Sequence, residues 1–389
     1  MRLLVLQFGD YAEAAHRFAR GEAETYYAQR YTVEYLATLA RAGAAVRVIA
    51  LGADAPLERL PGGVESVGLR LHRGRLLGPR LGALVAAAEA WGPTHLLLQV
   101  PLPALVRWAV RRGVEVLPLL ADSFHAGGLR QRLGARRLAS ALNAPEVRWV
   151  ANHGPNAAAD LVRIGVDPRK VVAFDWPALL PQRHFVPKRA PADPTHLRLV
   201  YAGAVSEAKG VGDLIAAVAL ARAAGCDYRL TIAGTGDGDA LRALAARRGV
   251  ADRVELVGRI PHDAVLSLMN AGDMVIVPSR HAYPEGMPMT IYEGLSSCTP
   301  VLVSDHPMFR GRVVHLESVV VFPASDPARL FEAIRGLATD AALYQRLSAA
   351  AAATCTGFFG PLKWDQLVTR WLSATDEDHA WLRSFALGR

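Results

Sequence analysis

Short, continuous apolar runs recur along the whole 389-residue chain, and they limit the fold more than any other feature. In the first half they fall at Arg2–Phe8, Ala45–Leu51, His95–Val100, Val114–Leu120, Val147–Ala151 and Lys170–Phe174. In the second half they fall at Leu197–Tyr201, Tyr228–Ala233, Val254–Val257, Met274–Val277, Val301–Val303 and Val319–Phe322. Runs without polar alternation are how strands read when both faces are buried, as in a parallel sheet. Parallel strands need crossover segments, and helical patterns supply them. Examples are Thr32–Arg41, Leu81–Ala90, Gly212–Ala223, Asp239–Arg248, Pro261–Asn270, Met289–Ser297, Pro327–Thr339 and Ala341–Thr354. Two such β/α series imply an α/β protein of two doubly wound domains. The stretch from Pro177 to Pro194 is proline-rich and poor in periodic apolar positions, so it reads as the linker. Residues 1–180 then form an N-terminal domain, 195–360 a C-terminal domain, and 361–389 closing helices. A ligand cleft at the carboxyl ends of the strands is the expectation for this architecture.

Half of the chain is hydrophobic and only 21% is charged, which excludes disorder as the main state. No apolar run reaches the roughly 18 residues that span a bilayer, and Met1–Phe8 is too short for a signal-peptide core. Cys226, Cys298 and Cys355 are widely spaced and odd in number, so a reducing, cytoplasmic setting is expected. Charge is uneven. Residues 1–190 carry 25 Lys and Arg against 15 Asp and Glu, and the remainder 19 against 21. The first half is therefore suited to an anionic partner or a solvated arginine-rich surface. Within it, Gly128–Asn143 interleaves Leu129, Leu133, Leu138 and Leu142 with Arg130, Arg132, Arg136 and Arg137. That pattern is compatible with a basic amphipathic helix in peripheral contact with a membrane, or with a packed helix carrying Arg outward. No nucleic-acid-binding motif or aromatic platform accompanies the charge, so nucleic acid is not an expected partner.

The chemistry concentrates after the strand that ends at Pro278-Ser279. There Glu285-Gly286-Met287-Pro288-Met289-Thr290-Ile291-Tyr292-Glu293 leads into a helix. Two glutamates eight apart lie near one helical face. The glycine-containing turn and the helix N-terminus suit a phosphate. These residues resemble the Glu-x7-Glu motif of glycosyltransferase family four, the retaining nucleotide-sugar glycosyltransferases of the GT-B fold. Tyr201-Ala202-Gly203 through Lys209-Gly210 is similar to that family's loop after the linker. Thr231 to Gly238 is similar to its next strand and glycine turn, and Val254–Gly258 with Arg259-Ile260-Pro261 to its nucleobase-lining segment. The resemblance is detailed over residues 197–335 and only architectural before them.

The resemblance implies two Rossmann-like domains facing a central cleft, with a C-terminal helix crossing back to the N-terminal domain. Phe358 to Trp364 looks like the start of that crossing. It implies transfer of a sugar from a UDP- or GDP-linked donor to the hydroxyl of a glycan, lipid-linked or small-molecule acceptor, as in polysaccharide biosynthesis, with no cofactor or metal. Lys209 would neutralise the leaving diphosphate. Glu285 would meet the sugar hydroxyls, and Gly286, Met287, Pro288 and Met289 would cradle sugar and phosphate. Glu293 would bind the ribose, and Gly203, Arg259 and Ile260 would complete the donor site. His125, after the strand Leu117–Leu120, matches a histidine near the donor sugar, with Asp122 as its fallback. His153 and His281 are lesser candidates.

Several positions depart from the pattern. Ala204 stands where the family commonly has an arginine paired with the lysine, and Arg280 is the nearest stand-in by sequence. Gly9 is alone where paired glycines are usual, followed by the long segment Asp10–Arg30 with Tyr26, Tyr27 and Arg30. Phe174-Asp175-Trp176-Pro177 replaces an asparagine-glycine segment. Asp237-Gly238-Asp239 has the spacing of a metal-binding pair, but Asp239 reads as a helix N-cap. Asp376-Glu377-Asp378 reads as a solvated turn. A non-catalytic subunit that binds a nucleotide sugar, and a sugar-nucleotide epimerase, are the rival readings.

Overall fold

The computed structural model describes residues 1–70, 79–124, 128–178 and 185–388. They form two compact units, one comprising Met1–Glu24, Ala28–Pro177 and Gly360–Arg389, the other Thr25–Tyr27 and Ala178–Phe359. The first unit carries strands β1 (Arg2–Gln7), β2 (Ala45–Ala50), β3 (Ala55–Arg59), β4 (Glu65–Gly68), β5 (His95–Leu98), β6 (Glu115–Leu120), β7 (Val150–His153) and β8 (Val171–Phe174). Its helices are α1 (Tyr11–Ala19), α2 (Gln29–Arg41), α3 (Pro79–Trp91), α4 (Pro103–Arg112), α5 (Leu129–Leu142) and α6 (Pro155–Arg163). The sheet order is β3-β4-β2-β1-β5-β6-β7-β8, parallel except for the β3–β4 pair. Alternate residues of β1 enter different cores. Leu4 and Leu6 pack with Leu105 and Val106 of α4, whereas Leu3 and Val5 pack with Leu36 of α2. Burial on both faces is the reason the strand reads as an unbroken apolar run.

The second unit carries β9 (His196–Ala202), β10 (Asp227–Ala233), β11 (Val254–Gly258), β12 (Met274–Val277), β13 (Val301–Ser304) and β14 (Val320–Phe322). Between and after them run α7 (Val211–Ala223), α8 (Gly238–Arg247), α9 (His262–Ala271), α10 (Met289–Ser296), α11 (Pro327–Thr339) and α12 (Ala341–Phe358). All neighbours in the sheet β11-β10-β9-β12-β13-β14 are parallel. The chain then returns to the first unit as α13 (Trp364–Ser373) and α14 (Asp376–Arg383), whose Leu367, Val368, Trp371 and Leu382 join the core behind β1.

Asp175 fastens that return. Its carboxylate accepts 2.8 Å hydrogen bonds from the backbone N–H groups of Gly360 and Trp176, and His153 Nε2 lies 3.1 Å away. Its backbone N–H donates to Leu362 and its carbonyl accepts from Trp364, both at 2.9 Å. Trp176 stacks on Trp364 at 6.0 Å. Burial alone pushes the Asp175 carboxyl upward, but the His153 and backbone hydrogen bonds outweigh it and hold the group below the usual carboxylate range.

Some elements differ from the sequence reading. The segment after Gly9 opens with helix α1, started by Asp10, whose side chain accepts from the Glu13 N–H at 3.0 Å. Its buried face is Tyr11, Ala12, Ala14, Ala15 and Arg17, a short stretch to which the sequence reading gave no element. Strands β3 and β4 are short, partly polar and at the sheet edge. β7 starts at Val150 and includes His153, so that histidine ends a strand rather than following it. Helix α8 begins at Gly238 behind Asp237, so Asp239 is no N-cap; it sits in the first turn and pairs with Arg242. Asp376–Asp378 is the first turn of α14, where Asp378 is buried in a capping box with Thr375 and meets Arg370 at 2.8 Å.

Asp175→Asn keeps the side chain's shape and removes its charge, so it should cost about 2–4 kcal/mol near pH 7, since a charged acceptor gains about 1.5–3 kcal/mol per bond. The folded-state pKa is lowered, so this stability is present above the unfolded carboxyl pKa of about 3.9 and is lost as pH falls through the folded value. Urea unfolding of both proteins from pH 7 to pH 3 should show the difference shrinking at the acidic end.

Candidate functional site

The site lies where the sheet of the second unit reverses its winding. From β9 the chain adds β10 and β11 on one side, then crosses to place β12, β13 and β14 on the other. β9 and β12 are therefore adjacent although Ala202 and Met274 are 72 positions apart in sequence, and such a switch point is where ligands bind in open α/β sheets. Lys209 follows β9 and Glu285 follows β12.

Two close approaches fix these loops. Gly210 has φ +72°, and a Cβ there would lie 2.1 Å from the carbonyl oxygen of Pro278. Only glycine lets the turn after Lys209 rest on the end of β12. Gly294 brings α10 against the sheet, where a Cβ would meet Val301 at 2.9 Å and Val275 at 3.2 Å. The start of α10 is tied to β9 by Thr290 Oγ1, which donates to the Ala202 carbonyl at 3.0 Å.

Lys209 Nζ and Glu285 Oε1 form a salt bridge with both side chains largely buried, 13% and 7% exposed. Ser279 Oγ donates to the same carboxylate oxygen at 2.6 Å, and Ser304 Oγ anchors Ser279 through its carbonyl, also at 2.6 Å. The Lys209 ammonium also lies 4.4 Å from the centre of the Tyr283 ring. Tyr201, buried beside this group, donates to the Ala204 carbonyl at 2.6 Å. Burial, followed by the Glu285 charge, pushes its phenol well above the usual range. Gly286 and the buried Met287 lead to Pro288 and Met289, and no side chain caps the first turn of α10. Its amides thus leave an anion-favouring end beside the ion pair.

Glu293, one turn along α10, is also buried. His262 Nε2, at the start of α9, lies 2.8 Å from its Oε1. The His262 ring packs edge-on against Tyr27 at 5.8 Å, within the same unit. Gly203 is fixed by a 2.9 Å bond from its N–H to the Ala233 carbonyl. Ile260 is half-buried, and Arg259, exposed beyond β11, has no carboxylate partner among the described residues. Lys209, Glu285, Gly286 to Met289 and Glu293 thus cluster on the loops after β9 and β12 and on α10.

Other candidates fall elsewhere. Arg280 is not a free stand-in for the arginine absent at Ala204. Its guanidinium meets Asp213 at 2.7 and 2.9 Å and Glu207 at 3.1 Å, and the Asp213 hydrogen bond raises its pKa. His281 pairs with Asp305 at 2.8 Å. His153 belongs to the Asp175 fastening of the first unit, and the Asp122 carbonyl accepts from Asn152. His125 lies outside the described residues. The sequence reading missed Ser279 and His262. A serine ending a strand and a histidine opening a helix carry no motif; only the fold brings each to a glutamate.

Residues 183–354 match the glycosyl transferases group 1 family model. The chain carries a group 1 glycosyl transferase domain on the GT-B fold. Glycogen synthase of Mycobacterium tuberculosis is 30% identical to it over 208 residues, covering 53% of this chain and 46% of that protein. A GDP-mannose-dependent alpha-(1-6)-phosphatidylinositol dimannoside mannosyltransferase of the same species is 30% identical over 237 residues, covering 57% and 60%. The chain spans about half the length of the curated relatives it matches. The structure of sucrose-phosphate synthase from Thermosynechococcus elongatus superposes with TM-score 0.69 at 19% identity, covering 96% of this chain and all of that one. The group 1 segment contains Lys209, Glu285, Glu293, Ser279 and His262, so the whole cluster lies inside the matched region.

His262→Ala should destabilise the group 1 domain by about 1.5–3 kcal/mol, because it leaves a buried carboxylate short of a charge-assisted bond. His262→Gln, which restores a donor, should recover part of the loss in urea unfolding. Equal stability of His262→Ala and the parent would show that the pair contributes nothing.

Proposed function

We propose that the chain is a retaining glycosyltransferase that moves a sugar from a nucleoside-diphospho sugar to an acceptor hydroxyl without a bound metal ion. The observation that carries this reading is the buried Lys209–Glu285 pair beside the uncapped start of α10. In the reading, the diphosphate lies against the Lys209 ammonium and the backbone N–H groups of Gly286, Met287 and Met289. Both stabilise the negative charge that grows on the leaving phosphate as the sugar–oxygen bond breaks. Glu285, steadied by Ser279, accepts hydrogen bonds from the sugar's hydroxyls. Glu293, held by His262 through one oxygen, offers the other to the ribose. Gly203, Arg259 and Ile260 complete the donor pocket, and His125 is the candidate on the acceptor side. The cation and the amides meet the diphosphate charge, so the reading requires no metal. The GDP-mannose dependence named for the mycobacterial relative supports a nucleotide sugar as donor. A cytoplasmic enzyme of glycan or glycolipid assembly fits this chemistry.

Ala204 favours a second reading, a non-catalytic subunit that binds a nucleotide sugar. One cation of the usual pair is missing, and Arg280 is occupied by Asp213 and Glu207. Slow hydrolysis of UDP- or GDP-sugars by the purified chain separates the readings, because only an enzyme releases sugar. Titration calorimetry with UDP and GDP in EDTA should give saturable binding. Glu293→Ala should weaken it roughly 10- to 100-fold, the equivalent of about 1.5–3 kcal/mol. Glu285→Gln should lower turnover far more than affinity, because its bonds serve the departing sugar. Unchanged nucleotide affinity in Glu293→Ala would place the nucleotide elsewhere.

A peripheral membrane contact through α5 is part of the proposal. Its first two turns expose Leu129 and Leu133, at 75% and 45%, together with Arg130, Arg132, Arg136 and Arg137. Leu138, Ala139, Ala141 and Leu142 anchor its other end in the core. Among the described residues no helix is long and apolar enough to cross a membrane, so contact through α5 would be superficial. Flotation with phosphatidylglycerol vesicles at low salt should recover the parent protein and lose it on Leu129→Ser/Leu133→Ser. Equal recovery of both would remove α5 from the proposal.

A further inference from the structure

A pocket of about 690 Å³, lined largely by residues with charged side chains, opens in the first unit. It lies at the amino ends of β7 and β8, opposite the strand ends that carry His153 and Asp175. Arg148 and Trp149 enter it just before β7, Arg169 and Lys170 just before β8, and His379 and Arg383 from α14. Its charges are poorly balanced. Asp167 is taken by Arg169 at 2.7 Å. Lys170 Nζ donates only to the carbonyls of Asn143 and Ala144, at 3.2 and 2.7 Å, and burial lowers its pKa. Arg148 and Arg383 have no carboxylate partner among the described residues, and Asp376 on the rim is the lining acid left to face Arg148, Lys170 and Arg383.

His379 shows what is lacking. Its Nε2 lies 2.8 Å from Arg148 Nη1, and its Nδ1 lies 3.2 Å from Trp149 Nε1. Both neighbours are donors. A neutral imidazole has one accepting nitrogen and one N–H, so one of the two contacts sets donor against donor. An oxyanion that accepts from Arg148 and from His379 Nε2–H would fix the neutral ring in that tautomer and leave Nδ1 to accept from Trp149. The contact would become two charge-assisted hydrogen bonds. Acceptor oxygens and negative charge are what these side chains lack, and the volume falls within the range of small-molecule sites.

We propose that this pocket binds a phosphate group, presented by a soluble phosphate ester or by an anionic lipid headgroup. The site is separate from the donor site, because its residues all belong to the other unit.

The test is titration calorimetry of the full chain with inorganic phosphate and pyrophosphate at physiological salt. Lys209→Ala/Glu285→Gln protein is used so that the donor site contributes little and no buried carboxylate is left without its counter-charge. Saturable binding is expected, weakened at least tenfold by Arg148→Ser/Arg383→Ser, two exposed positions whose change should leave the thermal midpoint near the parent's. The His379 ring nitrogen signals should shift toward the Nε2–H tautomer as phosphate is added, a readout that needs no variant. Vesicles of phosphatidylglycerol and phosphatidylcholine, mixed with protein that carries Leu129→Ser/Leu133→Ser to remove the α5 contact, identify the source. Loss of phosphatidylglycerol binding in the arginine double variant assigns a headgroup, and undiminished vesicle binding with lost phosphate binding assigns a soluble ester. Absence of saturable binding in the parent, equal affinity in the double variant, or static His379 signals would overturn the proposal.

Discussion

A carboxylate with almost no solvent is stable only if its surroundings replace water, and Glu285 depends on that condition. Removing such a group from water costs several kcal/mol, and an unpaired charge left inside is strongly unfavourable. Lys209 supplies the opposite charge and Ser279 an additional donor. Neither is near Glu285 in sequence terms that guarantee contact; Lys209 is 76 residues away. The contact requires β9 beside β12, the Lys209–Gly210 turn pressed on Pro278, and Ser279 held by Ser304. The ion pair therefore depends on the sheet order and on a glycine, and it fails if either is altered.

The same condition shapes the other glutamate. Glu293 is buried because Gly294 lets α10 lie close to β12 and β13. Its carboxylate then needs a donor, and α9 begins with His262 at the right place. Each glutamate thus has one oxygen engaged by a neighbour placed by a different strand–helix crossover. A parallel sheet that reverses its winding collects loops from distant parts of the chain at one edge, so the crossovers after β9, β11 and β12 contribute to one small region.

Much of this was legible in sequence. Continuous apolar runs betray strands buried on both faces, so two α/β series, their order and the main crossover helices could be read directly. Lys209, Glu285 and Glu293 could be named because a motif carries them. The elements that escaped did so for physical reasons. Helix α1 is short and puts the charged Arg17 on its buried face, β3 and β4 are short, partly polar strands toward the sheet edge, and α14 hides a buried Asp378 in what looks like a solvated acidic run. Ser279 and His262 escaped because hydrogen-bonding partners across a fold leave no periodicity. Arg280 was misread for a similar reason: nearness in sequence to the motif says nothing about Asp213, which reaches it from α7.

The cations of the site also differ in what they can give to an incoming anion. Arg280 is already matched by two carboxylates, and freeing it would leave Asp213 buried without a partner. Lys209 is matched by Glu285 alone, and its ammonium has three donors, so it can turn toward a phosphate while keeping one bond to the carboxylate. Arg259 is exposed and has no carboxylate partner among the described residues, and it is strongly screened by solvent. In the proposed reaction the first response to charge on the leaving phosphate therefore falls to Lys209 and to the α10 amides, which are fixed in place and need no rearrangement as the charge develops. The absence of an arginine at Ala204 then shifts the burden from mobile side-chain charge to the helix end. That makes the close seating of α10, through Thr290 and Gly294, as important to the chemistry as the lysine itself.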